Sequence, residues 1–303
     1  GINVIDTYHR KGLYPRTYPF VAGQEGGGIV VQTSAAAAAA ASNNSPSNFQ
    51  VGDRVTYLSF GSYAEYTAVP EEKVVHVPED MNMEVAISCM TQGLTAHYLV
   101  TSAHANLISK GEWCLIYAIG SGTCQWAAQM AKLQGFQVIG TCSKGKKEAA
   151  LQHCDKLIVL EEATGASYAD YTSVDIAAKV MDITGGVGVK CVIDGVGKST
   201  VDISLNCLAP RGIFISFGNA SGAVPAFPVL RLVQKSTFVT RPKLNEYMAT
   251  REEFMRRVKE VFDYVKSGAL SITVDKVFEL DNAVEGHTYL EGGSSRGKLL
   301  YKI

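Results

Sequence analysis

From residue 113 to residue 217 the chain alternates short, nearly all-apolar runs with segments of helical periodicity, and this pattern limits the fold more than any other feature. The apolar runs at 113–118, 137–141, 157–160, 190–194 and 213–217 predict strands, and the stretches 125–134, 174–183 and 200–208 predict helices. Strands apolar on both faces, alternating with helices, imply a parallel sheet covered on both sides. The expected fold class is α/β, with a doubly wound Rossmann sheet at its centre.

The flanks have a different texture. Before residue 92, Gly28-Ile29-Val30-Val31, Asp53-Arg54-Val55-Thr56-Tyr57 and Tyr63-Ala64-Glu65-Tyr66-Thr67 predict strands of a small mixed domain. After residue 234, Thr250-Arg251-Glu252-Glu253 is a capping box that opens a helix, and Gly268 stops it. A strand at 272–278, a helix at 281–290 and a strand at 298–301 are expected to follow. The predicted organisation is a discontinuous, mostly β catalytic domain made of 1–92 and 235–303, with a dinucleotide-binding domain at 93–234 inserted in it. The alanine run at 35–41 and the polar stretch after it read as a surface insertion, because so short a run does not recover the cost of helix nucleation. The opening Gly1-Ile2-Asn3-Val4-Ile5-Asp6 lacks an initiator Met and reads as mid-domain sequence, so a preceding segment is expected.

Composition removes several classes of function. Acidic and basic residues nearly cancel, 29 against 28, so no charge excess advertises nucleic acid or acidic lipid as a partner. No run approaches the ~20 apolar residues of a membrane helix. The seven cysteines are odd in number and dispersed, mostly in apolar runs, which predicts reduced, buried thiols and a cytoplasmic compartment. The six histidines form no close ligand pair and no C-x-x-C exists, so no metal is expected. No G-x-S-x-G elbow supports serine hydrolysis. Hydride transfer needs none of these groups, since the cofactor carries the reactive atom.

The first predicted strand of the sheet runs into Ile119-Gly120-Ser121-Gly122-Thr123-Cys124 and then a helix, the setting in which glycines let backbone N–H groups approach a pyrophosphate. Gln125 stands where a third glycine would fall, so the loop alone does not separate a dinucleotide fingerprint from an ordinary tight turn. The end of the next strand is more telling. An NAD site places a carboxylate there for the ribose 2′-OH, whereas this chain reads Gly140-Thr141-Cys142-Ser143-Lys144-Gly145-Lys146-Lys147. Three lysines suit a 2′-phosphate, with a solvated basic turn as the alternative. Gly195-Val196-Gly197-Lys198-Ser199-Thr200 resembles half of a nucleotide-triphosphate loop, but the first glycine of that motif would fall at Val192, inside a strand.

Taken with the segment Ser216-Phe217-Gly218-Asn219-Ala220-Ser221-Gly222, these motifs make the chain closely resemble the zinc-free quinone oxidoreductases, the zeta-crystallin-like branch of the medium-chain dehydrogenase/reductase superfamily. The likeness spans the chain apart from the alanine insertion, with the family's usual N-terminal stretch absent. It is most specific in Gly1-Ile2-Asn3-Val4-Ile5-Asp6-Thr7-Tyr8, Gln92-Gly93-Leu94-Thr95-Ala96, 216–222 and Val239-Thr240-Arg241-Pro242. The resemblance implies NADPH as cofactor, a GroES-like outer domain, a homodimer, and reduction of quinones or other activated carbonyl compounds. It implies that Asn3 and Tyr8 border the nicotinamide and the quinone, that Thr95 lies near the cofactor, and that Gly120, Ser121, Gly122 and Thr123 lie under the pyrophosphate. Gly140 opens the lysine-bearing turn, from which Lys146 or Lys144 would meet the 2′-phosphate. Phe217, Gly218 and Asn219 would line the nicotinamide pocket, and Arg296 would stand in for an arginine that Gly293 replaces. Zinc-dependent relatives carry histidine where Gln24 stands and cysteine where Asp6 stands, so the resemblance implies no catalytic zinc. Cys124, Leu160, Gly293 and Gln92 depart from the family pattern, and together they leave weakened NADPH binding open. Two other readings stand beside quinone reduction: reduction of α,β-unsaturated carbonyls, and an NADPH-binding structural or RNA-binding role.

Overall fold

The computed structural model describes residues 1–33 and 48–303, so the alanine run lies outside the described residues. The chain divides into two compact units. One comprises Gly1–Thr91, Thr250–Ser267 and Ile272–Ile303, the other Gln92–Ala249 and Gly268–Ser271.

In chain order, the first unit opens with α1 (Val4–Arg10), β1 (Glu25–Ile29), β2 (Arg54–Leu58), β3 (Val74–His76) and α2 (Met83–Ser88). A π turn, Cys89–Gly93, leads into α3 (Leu94–Thr101). The second unit continues with β4 (Trp113–Ile116), α4 (Gly122–Leu133), β5 (Gln137–Cys142), α5 (Lys147–Leu151), β6 (Lys156–Val159) and α6 (Leu160–Thr164). It closes with α7 (Ile176–Ile183), β7 (Val189–Asp194), α8 (Val201–Cys207), β8 (Leu208–Ser216) and β9 (Phe238–Thr240). The chain then returns to the first unit with α9 (Arg251–Lys266), β10 (Val274–Glu279), α10 (Ala283–Glu291) and β11 (Lys298–Lys302).

The second unit is the doubly wound sheet that the alternation predicts. Its six strands lie in the order β6-β5-β4-β7-β8-β9, all neighbours parallel. This is the Rossmann order, and its direction reverses between β4 and β7. Both faces are buried: Leu115, Ile139, Val192 and Phe214, paired in register on one face, are 0% exposed, and Ile116, Val138 and Ile215 on the other are 0% exposed as well. That is why these strands read as unbroken apolar runs.

The first unit holds an antiparallel sheet β1-β2-β3 and a parallel pair β10-β11. Ile2 bridges to Leu299, which joins the chain's two ends. Thr250 caps α9 by accepting from the Glu253 N–H at 3.1 Å, half of the predicted capping box, while the Glu253 carboxylate turns to Arg257; Gly268 follows the helix at a φ of 73°, as the glycine predicts. The expected strand at 63–67 does not form. The segment bends, because the Tyr63 ring turns inward to hydrogen-bond Asp6 and Thr67 Oγ1 bonds back to the Gly61 carbonyl at 3.1 Å.

Candidate functional site

Residues 117–121 turn β4 into α4 at the C-terminal edge of the sheet, beside the reversal in strand order. Ala118 takes a φ of 53°, a conformation side chains rarely adopt. The neighbouring strand holds it there: Ala118 N–H donates to Thr141 Oγ1 at 3.1 Å and Ile119 N–H to the Thr141 carbonyl at 3.0 Å. Ser121 occupies the N-cap of α4, yet its hydroxyl donates back to the Ala118 carbonyl at 2.7 Å and no side chain caps the helix. The opening N–H groups and the positive end of the helix dipole therefore suit an anion.

Gly120 is sterically required, whereas Gly122 faces only the movable amide end of Gln92. A Cβ on Gly120 would lie 2.5 Å from Lys146 Cβ and 3.2 Å from its Cδ, and one on Gly122 would lie 2.6 Å from Gln92 Nε2. The Gln92 amide thus occupies the space beside the helix start, with its buried Oε1 unpaired.

The fold separates the three lysines. A 3-10 turn, Lys144–Lys146, follows β5 and lays the Lys146 side chain along Gly120. The Lys147 ammonium is held by the Glu162 carboxylate at 2.8 and 3.0 Å. The Lys144 N–H donates to Glu161 Oε2 at 2.7 Å, which brings a carboxylate to this turn from beyond β6. Gly140 serves packing, since a Cβ there would overlap Ile119. Thr95 lies on α3 and is half-buried, and Thr123 is in the first turn of α4. Cys124 is buried on that helix and burial pushes its thiol up to about 12, while Leu160 belongs to the apolar core.

The Gly195–Thr200 loop is already occupied by a side chain of its own. Buried Asp194, at the end of β7, accepts from the N–H groups of Val196 (2.7 Å) and Gly197 (3.1 Å) and from the hydroxyls of Thr200 (2.7 Å) and Ser204 (3.0 Å). Burial pushes its carboxyl pKa up against the pull of these donors. With N–H groups turned onto a carboxylate, the loop is a poor phosphate cradle.

Next to this loop, Phe217, Gly218 and Asn219 follow β8. A Cβ on Gly218 would sit 2.7 Å from Gly195 Cα, and one on Gly195 would sit 2.9 Å from the Phe217 ring. Arg241, just past β9, fastens the segment by donating to the Ser216 carbonyl (3.0 Å), Ser216 Oγ (3.1 Å) and the Gly218 carbonyl (3.0 Å). The motifs at 216–222 and 239–242 are thus two halves of one structure, a link no spacing in the sequence announces.

Asn3, Tyr8 and Arg296 lie in the other unit. Buried Asn3 donates from Nδ2 to Glu25 Oε1 at 2.7 Å and accepts from Lys298 Nζ at 2.9 Å. Glu25 and Lys298 form an ion pair with both side chains 0% exposed. Burial alone would raise the Glu25 pKa, but the Lys298 ammonium and the Asn3 amide overcome it and hold the carboxyl below its ordinary value. Tyr8, on α1, meets Tyr14 edge-on at 5.3 Å between ring centroids. Arg296 is exposed, with its N–H on Asp275 Oδ2 at 2.9 Å, and Gly293 takes a φ of 69° that an arginine would hold only with strain.

Two family models match the chain: an alcohol dehydrogenase GroES-like domain at residues 1–79 and a zinc-binding dehydrogenase at residues 164–300. The GroES-like match agrees with the expectation for the first unit. A quinone oxidoreductase of Pseudomonas aeruginosa is 37% identical over 98% of this chain and 86% of its own length. A 2-haloacrylate reductase of Burkholderia sp is 35% identical over 99% of this chain and 87% of its own. Among solved structures, that of Escherichia coli quinone oxidoreductase complexed with NADPH has a TM-score of 0.89 at 33% identity, covering 100% of this chain and 89% of that one. The zinc in the second model's description finds no ligand set here: among the described residues no group of three or more His, Cys, Asp or Glu side chains could hold a metal ion. A dinucleotide, in contrast, fits the uncapped helix, the two close-packed glycines and Lys146 beside them.

Proposed function

The chain belongs to the quinone oxidoreductases of the medium-chain dehydrogenase/reductase superfamily, and on that premise we propose that it reduces quinones with NADPH, by hydride or net one-electron transfer, without a metal. The observation that carries the reading is the Lys146 side chain lying along Gly120, which puts a cation beside a loop built for phosphate. NADPH supplies the hydride when bound; this chain's part is to hold and orient it. The N–H groups at the start of α4 meet the pyrophosphate, and Lys146 meets the 2′-phosphate. Phe217, Gly218 and Asn219, fastened by Arg241, form the wall against the nicotinamide. Stopped-flow oxidation of NADPH by an ortho- or para-quinone tests the activity. Turnover well above that with NADPH alone is expected, and its absence in folded protein would refute the proposal.

Reduction of activated alkenes next to a carbonyl is the second reading, favoured by the 35% identity to a 2-haloacrylate reductase. A panel of quinones, enals and 2-haloacrylate under one set of conditions separates the two by relative kcat/KM. We place the enzyme in the cytoplasm, since all seven cysteines are free and buried and no helix among the described residues is long and apolar enough to cross a membrane.

The same reading includes a homodimer. Strand β9 is an edge of the six-stranded sheet, and it leaves Phe238 47% and Val239 38% exposed. Val229 and Leu230, on the 3-10 turn before it, are 78% and 76% exposed. Unpaired edge groups flanked by apolar side chains favour pairing with a second copy. Val239→Lys is expected to convert a species of twice the 32.5 kDa chain mass into one of 32.5 kDa in sedimentation equilibrium. A wild-type chain of single mass at micromolar concentration would rule the dimer out.

A further inference from the structure

Within the first unit, a small cleft is bounded by Phe20, Val21 and Phe60, by Arg16, whose guanidinium stacks on Phe60 at 3.3 Å, and by Asp6, His9 and Gln24. Asp6, His9 and Gln24 each carry a buried atom with no hydrogen-bond partner: Asp6 Oδ1, His9 Nε2 and Gln24 Nε2. Asp6 is 2% and His9 9% exposed. Buried polar atoms are rarely left unpaired, and three around one cleft call for an occupant.

The surrounding hydrogen bonds fix what each atom offers. Asp6 Oδ2 already accepts from the Asn3 N–H at 2.8 Å and from the Tyr63 hydroxyl at 3.0 Å, which leaves Oδ1 as an open acceptor. His9 Nδ1 lies 3.2 Å from the Tyr14 carbonyl, which only accepts, so Nδ1 carries the proton. Burial, with the Arg16 cation nearby, lowers the pKa of this ring and favours its neutral form, so Nε2 is a second open acceptor. Gln24 Nε2 is a donor. The occupant must therefore donate two hydrogen bonds and accept one. The free space is about what one water molecule requires.

We propose that this cleft is a binding site for one water molecule, which donates to Asp6 Oδ1 and His9 Nε2 and accepts from Gln24 Nε2. The water ends an oriented line of hydrogen bonds. Arg10 Nη1 donates to His287 Nδ1 at 2.7 Å, so His287 Nε2 bears the proton and faces the Tyr63 hydroxyl at 3.3 Å; Tyr63 in turn donates to Asp6. Arg10 is half-exposed, so the line runs from the surface to the cleft. A ligand group that displaced the water would need the same two hydrogens and one lone pair.

A crystal structure at a resolution that shows ordered solvent tests the site directly. One peak at roughly 2.7–3.2 Å from all three atoms is expected. An empty cleft, a peak at metal-ligand distances of roughly 2.0–2.2 Å, or a side chain filling the space would overturn the proposal. Gln24→Met keeps much of the side-chain volume and removes the donor. Oxygen-17 relaxation dispersion should count one long-lived water fewer in this variant than in the wild type, and an unchanged count in a folded variant would also overturn it. Neither readout depends on NADPH or on turnover, so the water site and the proposed activity fail or stand separately.

Discussion

Lys298→Met is expected to destabilise the protein by about 3–5 kcal/mol, the range for removing one partner of a buried ion pair. The loss is large because the ammonium is the main counterweight to the buried Glu25 carboxylate, and Met fills the space without replacing the charge. It also removes the donor to Asn3 Oδ1, which becomes a second unpaired buried group. Urea denaturation at neutral pH checks the magnitude. With Lys298 gone, burial raises the folded-state pKa of Glu25 above its ordinary value of 4.5. The penalty is then fully present above that raised value, shrinks as pH falls through it, and is gone well below 4.5, where the folded and unfolded carboxyls are both protonated. Glu25→Gln added to Lys298→Met should recover part of the lost stability, because the amide keeps an acceptor for Asn3 without a stranded charge. A Lys298→Met loss below about 1 kcal/mol would mean that the pair is solvated in solution.

Lys146→Glu is the second large effect, and it falls on affinity. A charge-assisted hydrogen bond contributes about 1.5–3 kcal/mol, which corresponds to roughly 10- to 100-fold in Kd. Reversing the charge adds repulsion from the 2′-phosphate. NADPH affinity should therefore fall by roughly 100-fold, with NADH affinity little changed. Lys144→Glu should cost less, because Glu161 already brings a carboxylate to the Lys144 N–H. Fluorescence titration of each variant with both nucleotides makes the comparison. Equal losses for NADPH and NADH would place Lys146 in the loop's packing, where it also touches Gly120, and outside phosphate recognition.

How much of this was legible in the sequence follows from how local each feature is. The strands of the parallel sheet were, because burial on both faces demands the unbroken apolar runs that mark them. The end of α9 was, because a cap and a stop glycine act within a few residues. α1 was not read: it has only seven residues, and Asp6, Thr7 and His9 on it are buried polar groups that hide its apolar face. The segment at 63–67 alternates like a strand, yet the hydrogen bonds of Tyr63 to Asp6 and His287, in distant parts of the chain, decide its shape.

Within the site the same rule holds. Glycines and lysines after strands could be seen as a phosphate loop and a basic turn. Choosing among Lys144, Lys146 and Lys147 required the 3-10 turn and the two glutamates that follow β6. Asp194 was read only as the end of a strand, although a carboxylate just ahead of Gly195-Val196-Gly197 is a signal for a loop bonded to its own side chain. The Glu25–Lys298 pair spans 273 positions, and no local pattern encodes it.

As proposed, the loop at 117–122 together with Lys146 makes an NADPH site. Titration of the wild-type protein with NADPH and with NADH, at one ionic strength, tests it most directly. The geometry predicts that NADPH binds more tightly by roughly tenfold or more. Equal affinities, or tighter binding of NADH, would contradict it.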